Sequence, residues 1–140
     1  MQNSHNFECD GYTCTDTLEE IDEMLNVFKS EWVVMMCGEN DLMDSSVVET
    51  YPRFQQIVSK IVATGARVIT LGTKPEPDTG ELHEKYQRYD SLVWQLASTL
   101  AASNAGSPPL LVMINTYLSF VTLGNPDSLY ANDCLHLADN

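Results

Sequence analysis

The sequence predicts an α/β domain with a parallel sheet, on two observations. Three short apolar runs alternate with three longer segments whose apolar residues recur every three or four positions, as in amphipathic helices. Strands that alternate with helices are joined by right-handed crossovers, which makes the sheet parallel. Because the three runs are apolar throughout, we expect strands buried on both faces. At 140 residues, the chain is predicted to be a single domain, 1–140.

The first helix and strand occupy the first 36 residues. Thr15 or Asp16 is expected to cap a helix that runs to about Lys29, with acidic residues in its first turn that suit the helix dipole. The apolar run Trp32–Met36 is the first predicted strand.

A second helix and strand follow a polar loop. The helix is predicted to begin near Pro52, since proline fits only the first turn, and to end at Gly65, a typical C-terminal cap. The second strand, Ala66–Leu71, leads into an irregular loop, Thr73–Gly80, that is rich in proline and glycine.

The last predicted helix and strand are followed by a polar tail. The helix runs from about Glu81 to Ser103, and the strand spans Leu110–Ile114. Residues 115–140 are expected to form a long tail without a closing helix. Doubly wound domains usually have about five strands, so the sequence indicates an incomplete domain that lacks its first strand and its last helix.

The composition excludes several classes of function. The net charge is -13, and 12 of the 20 acidic residues lie within residues 1–50, so binding to nucleic acid is disfavoured. No apolar stretch is long enough to span a membrane, and the N-terminus has no signal-peptide pattern. Cytoplasmic is the default localisation; it stays open because the N-terminus could be truncated. No cofactor is predicted.

The four cysteines form no C-x-x-C pair and have no zinc-finger spacing. We therefore expect reduced thiols at Cys9, Cys14, Cys37 and Cys134, with a Cys9–Cys14 disulfide as the alternative.

Two polar motifs mark a candidate site. The first strand ends in Gly38-Glu39-Asn40-Asp41, and ligands bind beyond the carboxyl ends of the strands in open parallel sheets. Near the other end of the chain, an acid precedes a histidine by three residues, in Asp133-Cys134-Leu135-His136.

Together the two motifs resemble the SGNH, or GDSL-type, esterases and lipases. The resemblance extends from about Gly11 to His136, and residues 123–130 are similar to the final loop of that family. It implies a flavodoxin-like three-layer α/β/α sandwich, here incomplete. It also implies hydrolysis of small acyl or acetyl esters by a Ser-His-Asp mechanism.

The resemblance assigns roles to five residues. His136 would be the general base, and Asp133 would orient its imidazole ring. The amide of Asn40 would donate to the oxyanion, and Gly38 would allow the sharp turn after the strand. The second oxyanion donor, a backbone N–H on a glycine in the family, falls on Cys14, where a positive φ would be costly.

The nucleophile of the family has no counterpart here. The sequence contains no Gly-Asp-Ser segment, and the Asp-Ser pairs at 44–45, 90–91 and 127–128 do not follow a strand at the start of the fold. No nucleophile is therefore assigned. Cys37 or Cys134 as a substitute is disfavoured, because cysteines at strand ends are usually packed.

Two explanations remain open for the missing segment. The chain is either a fragment of an esterase or a shortened, inactive relative that binds a ligand or a protein partner. Because the missing strand would be central, its loss would expose strand edges, which favours a fragment, or a partner or oligomer that fills the gap. A weaker alternative is a hard-metal site formed by Asp41, Asp44, Asp133 and His136, whose spacing matches no known metal motif.

Overall fold

The computed structural model describes residues 6, 9, 11–134 and 136–138. Over these residues, three parallel strands alternate with helices, as predicted. No described helix is long and apolar enough to cross a bilayer. The elements are, in chain order, α1 (Cys14–Val27), β1 (Trp32–Met35), α2 (Asp41–Asp44), α3 (Val47–Ala63), β2 (Arg67–Leu71), α4 (His83–Ser103), β3 (Leu111–Ile114) and α5 (Thr116–Thr122), with 3-10 turns at Pro77–Leu82 and Asp127–Leu129.

The strands form one continuous sheet in the order β1-β2-β3. Val33 pairs with Val68, and Val68 pairs with Leu111, so that these side chains form a row on one face. This register places the carboxyl ends of all three strands at the same edge of the sheet. The candidate motif after β1 lies at that edge.

The core lies on one face of the sheet. Val68, Leu111 and Met113 point into it, where they pack with residues from α1, α3 and α4. Two right-handed crossovers that advance in the same direction place α3 and α4 on the same side of the sheet, and these helices contact each other. α1 packs against α3 and extends this layer.

The opposite face is apolar but exposed. Val34 is 66% exposed and Ile114 is 48% exposed, while Ile69 and Val112 between them are only half-buried. The α/β class and the parallel sheet are confirmed. The expectation that the strands are buried on both faces is wrong for the described residues, because α1, α3 and α4 all pack on the other face.

Capping boxes place two helix starts earlier than predicted. Thr13, rather than Thr15 or Asp16, caps α1, and its side chain exchanges hydrogen bonds with Asp16. Ser46 caps α3 in the same way, so this helix begins at Val47 and contains Pro52. Pro52 and the residue one turn before it are both exposed, so water can satisfy the carbonyl that the proline leaves without a donor.

The segment after β3 is not simply a polar tail. Asn115 caps the seven-residue helix α5 by accepting a hydrogen bond from the backbone N–H of Leu118. A 3-10 turn and a bridge between Tyr130 and Leu137 order the part that follows. None of the α5 residues is buried.

The cysteine expectation is also wrong. Cys14, at the start of α1, forms a disulfide with Cys37, which follows β1, and their Cα atoms are 5.4 Å apart. Cys9 and Cys134 are free. The disulfide ties the first helix to the end of the strand that carries the candidate motif.

Candidate active site at the carboxyl edge of the sheet

Gly38 allows the chain to turn sharply after β1. Its φ is +112°, and a Cβ atom built on it would lie 2.5 Å from the Tyr89 ring. The Tyr89 hydroxyl donates to the carbonyl of Cys37 at 2.8 Å. Only glycine combines this backbone angle with the approach of the ring.

Asn40 presents its side-chain amide at the surface. It stands at the N-cap position of α2, but its side chain makes no capping hydrogen bond. Instead, Nδ2 donates to the carbonyl of Tyr12 at 3.1 Å. Asn40 lines a cleft of about 160 Å³ together with Gly11 and Cys37. The side chain is therefore more than a cap residue.

Cys14 does not have the geometry expected of an oxyanion donor. Its backbone N–H donates to Asp41 Oδ2 at 2.7 Å, and it is the first residue of a helix. The positive φ in this segment, +73°, belongs to Gly11. Asp41 is buried, with Arg53 3.7 Å from its other oxygen. Burial raises the pKa of Asp41, although the Cys14 N–H and Arg53 oppose the shift.

Asp133 and His136 form a hydrogen-bonded pair. Asp133 Oδ2 lies 2.8 Å from His136 Nδ1, and Asp133 Oδ1 accepts from the His136 backbone N–H at 3.0 Å. A carboxylate on Nδ1 leaves Nε2 as the ring nitrogen suited to proton transfer. Both side chains are more than half exposed, so a substrate can reach the pair.

The loop that carries this pair is fixed to the turn after β2. The Tyr130 hydroxyl lies 2.8 Å from Asn125 Oδ1 and 3.2 Å from the Pro75 carbonyl oxygen. Asn125 Nδ2 donates to the same carbonyl at 2.8 Å. The backbone N–H of Ala131 donates to the carbonyl of His136 and closes the loop on itself.

A buried cluster of charges, Glu39, Lys74 and Glu76, lies beneath this loop. Lys74 Nζ is 2.8 Å from Glu39 and 2.5 Å from Glu76, and the Lys74 backbone N–H also donates to Glu39 at 2.8 Å. Burial raises the pKa of Glu39, and Lys74 partly opposes this. Burial would lower the pKa of Lys74, but the two carboxylates outweigh it and raise the pKa.

The charge cluster connects the two candidate motifs. Glu39 immediately precedes Asn40, and Pro75, between the other two members, holds the loop of Asp133 and His136. Sequence reasoning missed this cluster. The sequence nevertheless contains a signal for it. The acids and the lysine of the cluster follow β1 and β2, two neighbouring parallel strands whose carboxyl ends meet at one edge of the sheet.

The Asp-Ser pairs do not supply a nucleophile that follows a strand. Ser45 ends α2, and its carbonyl accepts from Lys85; Ser91 lies within α4, and Ser128 lies in the 3-10 turn Asp127–Leu129. Cys37 is excluded as a substitute while it is in the disulfide.

The hard-metal set expected from the sequence is not assembled in the part of the chain that the structure describes. Ligand atoms that could hold a metal ion there converge at Cys14, Cys37 and Asp41 instead.

The fold matches solved structures of esterases. An acetylxylan esterase from Geobacillus stearothermophilus superposes with a TM-score of 0.71 and 17% sequence identity, over 91% of this chain and 61% of the esterase. A lipolytic protein of the G-D-S-L family from Veillonella parvula gives a TM-score of 0.69, 18% identity, and coverage of 92% and 68%. A family 3 carbohydrate esterase from Clostridium thermocellum gives 0.65, 20%, and coverage of 92% and 58%.

The chain has the SGNH hydrolase fold. No protein-family model matches its sequence, and no curated protein matches it either. The chain spans about three fifths of the length of the Geobacillus esterase, 61%. At these sequence identities the similarity concerns the SGNH fold and not the site residues.

Proposed function

We propose that the chain is part of an SGNH-type ester hydrolase, to which it contributes the general base, the acid that orients it and one oxyanion donor. The observation that carries the proposal is the Asp133–His136 hydrogen bond to Nδ1, in a loop at the edge of the sheet where Asn40 also lies. The nucleophilic serine is not assigned within these residues.

Each residue has a defined chemical role in this proposal. His136 Nε2 takes the proton of the serine hydroxyl and later returns it to the leaving alcohol. Asp133 holds the ring in the required tautomer and stabilises the imidazolium. Asn40 Nδ2 uses one hydrogen for Tyr12 and offers the other to the oxyanion, a contribution of about 3–4 kcal/mol for one such donor.

The substrate class is a small acyl or acetyl ester. The cleft beside Asn40 has a volume of only about 160 Å³, which suits a short acyl group. Solved structures with the same fold include an acetylxylan esterase, and this supports an acetyl ester. Cys14 has no place in the proposed site, because its N–H is already bound by Asp41.

A second candidate function is binding without catalysis. The observation that favours it is the exposed apolar face of the sheet around Val34 and Ile114, which a protein partner could cover. β1 and β3 are the outer strands of the sheet that the described residues form, and their edges could also accept a strand from a partner or a second copy.

Labelling with a serine-directed fluorophosphonate tests whether this chain itself holds a working nucleophile. The probe is applied to this chain and to its His136→Ala variant, and the adduct is located by mass spectrometry. One labelled serine that disappears in the variant would establish a working esterase. No labelling of a chain shown to be folded by circular dichroism would mean that these residues hold the base and the oxyanion donor without a working nucleophile.

Ester turnover tests the assignment of the oxyanion donor. If labelling is found, Asn40→Ala is expected to lower kcat for p-nitrophenyl acetate about 100-fold or more. Asn104→Ala, at the far end of α4, is the matched control and should leave kcat unchanged. Equal rates for the Asn40→Ala variant and the wild type would contradict the assigned role.

A further inference from the structure

Three ligand-type side chains converge beside the candidate site. The Sγ atoms of Cys14 and Cys37 and a carboxylate oxygen of Asp41 all lie within 4.8 Å of one another, and all three residues are buried. They come from the start of α1, the turn after β1 and the start of α2. The fold thus brings together two sulfur atoms and one carboxylate that are up to 27 residues apart in sequence.

We propose that reduction of the Cys14–Cys37 disulfide creates a zinc site formed by Cys14, Cys37 and Asp41, with a water molecule as the fourth ligand. Two thiol molecules of a reductant supply two electrons and two hydrogens; the protein S–S bond breaks, and the reductant leaves as its disulfide. Each cysteine then loses one proton to solvent when it binds Zn²⁺. The proposal does not depend on esterase activity.

The donor atoms are close to the spacing that zinc requires. Zn–S bonds of about 2.3 Å and Zn–O bonds of about 2.1 Å in a tetrahedron separate neighbouring ligand atoms by roughly 3.4–3.8 Å. The three donor atoms already lie within 4.8 Å of one another. Only small side-chain adjustments are therefore needed once the S–S bond has opened. Two thiolates and a carboxylate form a donor set that suits zinc.

The surroundings hold the ligands in place. Asp41 Oδ2 accepts the backbone N–H of Cys14, and this bond fixes the carboxylate as outer-shell hydrogen bonds do in metal sites. The Tyr89 hydroxyl binds the carbonyl of Cys37 and fixes the turn. Arg53, the cation 3.7 Å from Asp41, has a side chain that is about one third exposed, so it can move toward solvent when the metal binds.

The cleft supplies access and the fourth ligand. Cys37 lines the cleft together with Gly38 and Asn40, so the cleft borders the proposed metal site. A site with three protein ligands and one open position is typical of zinc that exchanges its water ligand. A bound ion would therefore lie next to the Asn40 turn.

Metal titration under two redox conditions tests the proposal. The full chain is reduced with a phosphine, freed of reductant without oxygen, and titrated with Co²⁺ and then Zn²⁺. We expect one Co²⁺ per reduced chain, a thiolate-to-metal charge-transfer band that Zn²⁺ removes, and no band for the oxidised chain. Asp41→Asn, which keeps both thiols, should weaken binding at least 10-fold, and Cys37→Ser at least 100-fold.

Cys134→Ser is the matched control, because it removes a free thiol elsewhere in the chain. It should bind Co²⁺ as the wild type does. The proposal is overturned if the reduced wild type shows no charge-transfer band, or if Cys37→Ser and Asp41→Asn both bind with wild-type affinity. It is also overturned if the reduced chain loses its helical circular dichroism and zinc does not restore it.

Discussion

Lys74 is the residue on which the buried charges at the edge of the sheet depend. It contacts Glu39 and Glu76, which are almost fully buried. Lys74→Met would leave two buried carboxylates without their cation, and breaking such a pair typically costs about 3–5 kcal/mol. We expect a loss of this size in the free energy of unfolding at neutral pH, measured by urea denaturation. The loss should shrink in acid, where the carboxylates can be protonated.

The matched control for this variant is Lys60→Met. Lys60 pairs with Asp22 at the surface, where both side chains are exposed, and such pairs contribute about 0–1 kcal/mol. Equal losses for the two lysine variants would show that the buried cluster is not held by Lys74.

Gly38 gives a second prediction at the residue scale. Gly38→Ala would combine an unfavourable φ of +112° with a Cβ atom 2.5 Å from Tyr89. Gly106→Ala is the matched control, because its φ is also positive, at +87°, but nothing lies within 4 Å of the added atom. The control should cost about 1–2 kcal/mol from the backbone alone. Gly38→Ala should cost clearly more in urea unfolding; equal costs would mean that Tyr89 moves aside freely.

Single residues differ in how far the sequence predicts them. Gly38 could be predicted to turn, since a glycine between an apolar run and polar residues has few other uses. The Cys14–Cys37 disulfide could not be predicted, because it depends on how α1 docks against the end of β1. The same holds for Lys74, whose partners are set by the strand register.

At the scale of elements, length decides what the sequence predicts. The long helices α1, α3 and α4 were predicted because their apolar periodicity extends over several turns. The four-residue α2 and the seven-residue α5 were missed, since one or two turns are too short to show a period. Helix starts were misplaced where a capping box, rather than the apolar pattern, fixes the first turn.

Asp90 joins two of these elements and gives a prediction of pH dependence. It lies on α4 and accepts hydrogen bonds from the backbone N–H and the hydroxyl of Thr73, just after β2. Burial raises the pKa of Asp90 above 3.8, although Thr73 opposes the shift. The folded state binds the proton of the Asp90 carboxyl more tightly than the unfolded state does. The protonated carboxyl therefore contributes to stability below pH 3.8, and this contribution is lost as the pH rises through the raised pKa.

The variant Asp90→Asn lacks this titration. The free energy of unfolding of the wild type, minus that of the variant, should therefore fall as the pH rises from about 4 to about 7. Urea denaturation at a series of pH values measures this difference. Asp44→Asn, at an exposed position, controls for the change in net charge. A difference that stays constant or rises with pH would contradict the stated cause.

For the whole molecule, the sequence predicted the class of fold but not which face of the sheet is buried. The strands are apolar on both faces, a pattern typical of sheets that have helices packed on both faces. The pattern does not indicate which residues pack against each face of the sheet. In the structure, α1, α3 and α4 pack on one face, and Val34 and Ile114 on the other face are exposed among the described residues. The chain correspondingly matches 61% of the length of an esterase with the same fold.

The exposed face predicts how the isolated chain behaves in solution. Contiguous apolar surface on a sheet promotes self-association and binds hydrophobic dyes. We expect concentration-dependent sedimentation and dye fluorescence, and Val34→Lys should reduce both, because this side chain is 66% exposed on that face. Val48→Lys, 71% exposed on α3, is the matched control and should change neither.

Both variants should alter the free energy of unfolding by less than about 0.5 kcal/mol. A wild type that sediments as a monomer at all concentrations and binds no dye would show that the face is not a binding surface.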